Sequence, residues 1–470
     1  MSMAALEVRV RTDLERIDHP RMAWLEAKRA PDGTAALDVL VVGAGQSGVA
    51  IGFGLLRAKV DNILVVDRAA RGMEGPWRTY ARMRTLRSPK DYTGPDLDVP
   101  SLTYRSWHEA RFGVADWDAL GLIPREYWAD YLLWIRDVTG VPVHNGVRVV
   151  DVAAAGPGLL GVVVDEAGAR RTLYCRKLVL ATGQDGAGRW WMPPFIEALP
   201  AQFRAHAADE IDFAALRGKV VAVLGMGASA LDNAATALEA GAAEVHLFCR
   251  RERPQLVQPY RWLTFAGFLR HMSEMDDAWR WRFMSTVLAL REGFPQPTWD
   301  RCATWENFTL HTGAPWAGAG VAEAGSLGKR VAIDVLQGPF LADFVICGTG
   351  MDVEFGLRPE FGRFAGNIAT WGDVYRPPAG LENARLARFP YLAADYALTE
   401  KVTGETPELA DIHVFSIAST MSFGPSGSSI NAMTTAVPKL VSGLTRGLFA
   451  ADLERHWASF SAYDTVQAVI

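Results

Sequence analysis

Residues 37–67 constrain the fold of this chain more than any other stretch. Leu37-Asp38-Val39-Leu40-Val41-Val42 is mostly apolar, β-branched and closed by glycine, the pattern of a parallel strand buried on both faces. Gly43-Ala44-Gly45-Gln46-Ser47-Gly48 follows at once, then a helical pattern from Val49 to Arg57. A second strand, Asn62 to Val66, ends in Asp67, 24 residues after Gly43. A glycine pattern alone is weak evidence. Strand, glycine turn, helix and terminal acid in this order are the dinucleotide-binding βαβ unit. Gly43 permits the tight turn, Gly45 lets the backbone approach a pyrophosphate, and Gly48 lets helix and strand pack closely. Gln46 and Ser47 open a helix whose amides and macrodipole face the phosphates, and Asp67 accepts from a ribose diol.

The pattern then repeats. Val220 to Leu224 leads into Gly225-Met226-Gly227-Ala228-Ser229-Ala230, a helical stretch and the strand Val245 to Phe248. The first glycines of the two units lie 182 residues apart. Each unit is echoed downstream by an apolar strand closing in Thr-Gly, at Thr182-Gly183 and at Thr349-Gly350. The second unit carries alanine in place of its third glycine, and its second strand ends in Cys249-Arg250-Arg251. An acid suits a free ribose hydroxyl, as in FAD or NAD, whereas two guanidinium groups suit a 2′-phosphate, as in NADPH. Such charge-assisted contacts contribute about 1.5–3 kcal/mol each. The first unit is therefore assigned FAD and the second NADPH.

These features predict an α/β fold of two Rossmann-like dinucleotide-binding domains. The FAD domain is built from both chain ends, residues 37–200 and 346–470. A smaller NADPH domain, 201–345, is inserted between them and carries a Trp-rich insertion at 254–325, and residues 1–36 form a helical surface extension. The helix near 124–138 buries Trp128 and Tyr131 as core.

Composition narrows the function classes. The net charge of −5 provides no global basic field for nucleic acid. No run of about 18 apolar residues suggests a membrane span, and the N-terminus lacks a signal-peptide core. Cys175, Cys249, Cys302 and Cys347 form no CxxC pair, which argues against a disulfide framework, a zinc ribbon or a thiol redox pair. A reduced, cytoplasmic setting is expected.

Three further stretches are candidates for function. The loop Met83–Gly94 is long for an α/β domain and too rich in apolar and aromatic residues for disorder. The insertion holds six of the sixteen tryptophans, and it suits a lid over an aromatic substrate, a self-packed helical subdomain or a membrane-docking patch. Met421–Asn431 is a small-residue loop before a helix, whose amides, with Ser429 and Asn431, can face a flavin or a phosphate.

Over residues 37–450 the order of these motifs resembles the single-component flavoprotein monooxygenases, which include flavin-containing, N-hydroxylating and Baeyer–Villiger enzymes. Gly75-Pro76-Trp77 is similar to the Gly-x-Trp that follows the FAD acid in flavin-containing monooxygenases. Arg87-Ser88-Pro89-Lys90 stands where those enzymes carry an Asn-Thr-Ser-Lys run, so Arg87 replaces their asparagine, which weighs against amine-type oxygenation. His206 stands 19 residues before Gly225, as a fingerprint histidine does in Baeyer–Villiger enzymes, but the rest of that fingerprint is out of register. The 84–90 loop with the Trp-rich insertion also resembles a bacterial FAD-dependent urate hydroxylase type. The resemblance implies that NADPH reduces FAD and that O2 then yields a flavin (hydro)peroxide, which hydroxylates a small aromatic or heterocyclic substrate. Arg87 is then the flavin-side cation, and Asp91 either holds it or meets the substrate. An NADPH-dependent flavin reductase that makes no use of O2 would share every motif. A non-catalytic flavoprotein would not need Arg250 and Arg251.

Overall fold

The computed structural model describes residues 1–468 apart from 291, 324, 326, 327, 337 and 426–428. The strand Ala35–Val42 lies at the centre of the first sheet, parallel to Ile63–Asp67 on one side and to Ala169–Leu180 on the other. Val143–Asn145 extends the sheet beyond Ile63–Asp67, and Ile412–Val414 returns late in the chain to pair with the end of Ala169–Leu180. That long strand serves two purposes. Its exposed, polar start joins an antiparallel meander with Val147–Gly156 and Leu159–Glu166, while its apolar end, Leu178 to Leu180, is buried in the parallel sheet.

The second sheet is parallel throughout, in the order Phe308–His311, Glu244–Phe248, Val220–Leu224, Phe344–Cys347, Arg204–His206. An antiparallel layer of Trp316–Glu323, Lys329–Val335 and Gly338–Ala342 packs on it through Trp316, Val331 and Ile333. The chain crosses between the two sheets at Gly188–Trp190 and again at Met351–Val353, and these crossings pair as an antiparallel ribbon. Each crossing directly follows one of the Thr-Gly turns.

Two expectations change. The N-terminal helix Met3–Arg16 is not merely a surface extension, because Leu6 and Val10 are fully buried in the large core beside the first sheet. The Trp-rich stretch is not one unit either. Its helices, Pro259–Trp262, Ala266–His271, Asp277–Leu290 and Gln296–Ala303, end before Phe308–His311, which belongs to the second sheet. Phe268, Met272, Trp281 and Met284 from these helices join the first sheet's core, and Trp281 Nε1 donates to the carbonyl of Leu381 at 2.9 Å. At the C-terminal end of the chain, buried Arg176 bonds Asp38 at 3.2 Å and Asp452 at 2.9 Å, pinning the last helices to the sheet. Among the described residues no helix is long and apolar enough to cross a membrane.

Candidate functional site

The first glycine turn is held by backbone contact. Gly43 has φ +104°, and a Cβ there would lie 2.4 Å from the carbonyl oxygen of Ala181, so the Thr182-Gly183 turn closes directly against it. A Cβ on Gly48 would lie 1.7 Å from the oxygen of Gly43, so the helix starts only because residue 48 has no side chain. Gly45 differs. It is the N-cap of the helix Gln46–Arg57, and a Cβ there would meet only the backbone of Gly75, at 3.8 Å. The N-cap of this helix is therefore open on its Cβ side.

Asp67 closes the turn. Its carboxylate accepts from the amides of Ala44 and Ala69, both at 2.7 Å, and each oxygen retains a lone pair for a hydroxyl. Burial pushes its carboxyl above the ordinary value, while the two amide bonds pull it down. Behind it Glu74 accepts from Arg136 at 3.0 Å and from Asn145 at 2.6 Å, which fixes the segment leading to Trp77. Trp77 lies edge-on to Trp128 at 6.4 Å, and its buried indole N–H lacks a partner. Trp128, read from sequence as core alone, is buried and also donates to the Gln46 side chain at 3.4 Å. A narrow pocket lined by Gly45, Glu74, Trp77, Leu132 and Arg136 runs beside the turn. A tight turn, an open N-cap, a partly free acid and an unpartnered indole suit the diphosphate and ribose of a flavin dinucleotide.

Asn431 lies in the second return of the chain to this region. Its side-chain nitrogen is buried without a partner, its oxygen accepts from the Ser429 hydroxyl, and Ile430 between them packs on Gly94 of the long loop. The Ser426–Ser428 part of the predicted small-residue loop lies outside the described residues.

The second glycine turn repeats the first with one exchange. Gly225 has φ +121°, and a Cβ there would lie 2.5 Å from the oxygen of Gly348, just before Thr349 and Gly350. Gly227 caps the helix Ala228–Glu239 with no atom within 4 Å of a Cβ position; Ala228 is buried and Ser229 exposed. The alanine replacing the third glycine, Ala230, is admitted because Gly348 stands opposite, where a Cβ would lie 2.6 Å from the Ala230 methyl. Of the two arginines, Arg250 is exposed and binds no carboxylate among the described residues. Arg251 instead donates to the carbonyls of Ala289 and Leu290, at 2.8 and 3.0 Å, closing the helix Asp277–Leu290. His206 ends the edge strand opposite Cys347 and stacks on Trp190 of the crossing ribbon at 5.1 Å. Burial pulls its imidazole down to about 4.

The long loop joins the two sites. Arg87 donates to Asp232 at 2.9 Å, and Asp232, almost fully buried on the second glycine-turn helix, also accepts from Arg301 at 3.0 Å. Arg301 and Arg84 both reach Glu239 of the same helix at 2.9 Å. Asp91, expected to hold Arg87 or meet the substrate, does not hold it: Asp91 is exposed, near Arg105, and Asp232 takes the arginine. Sequence reasoning passed over Asp232 because nothing in its local spacing marks a partner 145 residues away. Lys90 donates to the carbonyl of Trp117 at 2.6 Å. Over the loop, Tyr92 donates to Thr264 at 3.4 Å, and Thr435 donates to the carbonyl of Leu269 at 3.4 Å. The inserted segment therefore touches both the loop and the helix that follows Asn431, and the loop itself meets Ile430 at Gly94.

Comparison with known proteins agrees with this geometry. A family model described as FAD-NAD(P)-binding matches residues 40–185, and one described as L-lysine 6-monooxygenase/L-ornithine 5-monooxygenase matches residues 119–259. A FAD-dependent urate hydroxylase from Xanthomonas campestris pv. campestris is 38% identical over 471 residues, covering 100% of this chain and 98% of that protein. The fold is similar to that of an ornithine N-hydroxylase from Kutzneria sp. 744, with TM-score 0.67 and 16% identity over 88% of this chain and 99% of that one. It is also similar to that of an ornithine hydroxylase from Pseudomonas aeruginosa, with TM-score 0.65 and 16% identity over 88% and 100%.

Proposed function

This chain belongs to the single-component, FAD-dependent flavoprotein monooxygenases that use NADPH, and within that family we propose that its substrate is urate or a closely related oxopurine. The enzyme hydroxylates a small substrate with NADPH as reductant. FAD, when bound, would supply the redox chemistry, hydride acceptance from NADPH and activation of O2, which no side chain of the chain can provide. The chain's own residues bind, orient and exclude. The open first turn at Gly45 receives the diphosphate, and Asp67 has lone pairs free for the ribose. Asn431 offers a buried, unpartnered N–H, suited to a carbonyl of the flavin or of the substrate. The helices Ala266–His271 and Asp277–Leu290 pack into the first sheet's core beside the long loop and the C-terminal helix, where they hold water away.

The observation that carries the substrate reading is the full-length likeness to the urate hydroxylase, which spans both cofactor turns, the long loop and the inserted helices. N-hydroxylation of an amino acid is a second reading, supported by the lysine/ornithine monooxygenase match over residues 119–259. The two separate in one assay. FAD-loaded enzyme is given NADPH with urate, xanthine, L-ornithine or L-lysine, and oxygen uptake and hydrogen peroxide are followed. Urate is expected to be consumed in equal amounts with NADPH and O2, with little peroxide. Oxygen uptake unmoved by urate but coupled to ornithine or lysine would refute the proposal.

A further inference from the structure

We infer that Arg87 serves the nicotinamide cofactor: it is an NADPH-binding residue, supplied by the FAD-domain loop to the pyrophosphate at the second glycine turn. The inference depends on the NADPH site and not on which substrate is oxygenated.

The placement of Arg87 rests on Asp232. Gly227 is the N-cap of Ala228–Glu239, so Asp232 is the fifth helical residue and lies one turn beyond Ser229 on the same face. Ser229 is exposed, and the backbone at Gly227 is open. Asp232 is 3% exposed and has both oxygens engaged, Oδ2 by Arg87 Nη2 at 2.9 Å, and Oδ1 by Arg301 Nη1 at 3.0 Å and Thr298 Oγ1 at 3.3 Å. Arg87 is therefore tied to the helix whose N-terminus receives the cofactor, about one turn from its first amides.

The remaining donors of Arg87 make no hydrogen bond among the described residues. Its Nη1 comes no closer than 4.0 Å to Glu292, and its Nε is buried without a hydrogen-bond partner. The local charges are balanced only through a distant, half-exposed acid: Asp232, Glu239 and Glu292 face Arg84, Arg87 and Arg301, with Glu292 4.0 Å from Arg87, and Arg301 is already committed to Glu239 through Nε at 2.9 Å and Nη2 at 3.0 Å. A dinucleotide pyrophosphate on the Gly227 turn is a stronger anion than the loosely placed Glu292, and a guanidinium with donors left unbonded is suited to meet it. Asp232 acts through Arg87, as a positioning residue. Because Arg82, Arg84 and Arg87 all bind the NADPH-domain side from one loop, cofactor binding at one turn also tightens the loop that borders the other.

The test is direct binding of NADP+, which is not consumed, to FAD-loaded Arg87→Gln, read by calorimetry. The Kd is expected to rise by about tenfold or more, with the salt dependence of binding reduced, while FAD content stays at the wild-type value and the melting temperature falls because buried Asp232 loses one partner. An unchanged Kd would overturn the inference, and if urate turnover were lost at the same time, Arg87 would belong to the flavin or substrate side instead. Should Arg87→Gln fail to fold, the wild-type protein still decides. NADP+ should slow amide hydrogen exchange across residues 82–92, and exchange there that ignores NADP+ removes the proposal. Wild-type enzyme that binds NADP+ in this way but ignores urate would reject only the substrate proposal.

Discussion

Replacing Gly45 by leucine separates the fold of the first turn from its function. The backbone at Gly45 has φ −68° and ψ −171°, which any residue adopts, and a Cβ there would meet only Gly75, at ordinary contact distances of 3.8 and 3.9 Å. Folding of the apoprotein is therefore expected to change by less than about 1 kcal/mol. A leucine side chain, however, projects into the space over the first helical amides. If the diphosphate loses two charge-assisted amide bonds at about 1.5–3 kcal/mol each, FAD affinity falls by about 3–6 kcal/mol, roughly a hundredfold to ten-thousandfold. Gly48→Ala is the contrasting variant. Its Cβ would sit 1.7 Å from the Gly43 oxygen, so strand and helix must separate by more than an ångström before the chain folds. Apoprotein of both variants is assayed by thermal melting and by FAD titration with flavin fluorescence. Gly45→Leu should melt like wild type and purify colourless, and Gly48→Ala should melt lower or fail to accumulate. A yellow Gly45→Leu protein with wild-type FAD affinity would refute the assignment of this turn.

Two more expectations follow from the geometry. Arg250→Ala should raise the NADPH requirement by about tenfold or more and leave that for NADH nearly unchanged, whereas Arg251→Ala should chiefly loosen the end of Asp277–Leu290, seen as lower stability with little change in the NADPH/NADH ratio. Steady-state kinetics with both nucleotides checks this, and equal effects of Arg250→Ala on both would count against a 2′-phosphate contact. His413 is fully buried, donates through Nδ1 to the Asp395 carbonyl at 2.8 Å, and has its imidazole pulled down to about 4 by burial. The native chain keeps it neutral, while the unfolded chain protonates it below about pH 6.5. Its contribution is therefore complete above pH 6.5 and is lost as pH falls towards 4, a difference of about 3 kcal/mol. Melting temperatures measured from pH 7 to 4.5 should fall less steeply for His413→Gln than for wild type, and parallel slopes would refute this.

How much was legible beforehand depends on the range of each interaction. The two glycine turns, their helices and the terminal acid or arginines could be read directly because they are set by local rules. A strand period of two, a helix period of 3.6 and the demand for glycine where φ is positive all operate within a few residues. The exchange of Ala230 for a third glycine already lies at the edge of that range, since the compensating Gly348 is distant in sequence. The reading of residues 1–36 as surface failed because half of the helix Met3–Arg16 is polar, and its two buried residues, Leu6 and Val10, are too few to announce a core face. The inserted helices posed the same difficulty: their aromatics could be counted, but not assigned to the first sheet's core.

The sequence by itself determined two dinucleotide turns, the order in which they occur, and FAD and NADPH as the cofactors. Only the tertiary structure decided where the long-reach side chains go. It sent Arg251 to the carbonyls of Ala289 and Leu290, His206 to the face of Trp190, and Arg87 to Asp232. An arginine carries five donors on a flexible stem, so its neighbours in sequence do not select its partner. That choice follows from which carboxylates and carbonyls the packed helices and sheets bring within reach, leaving few buried charges unpaired.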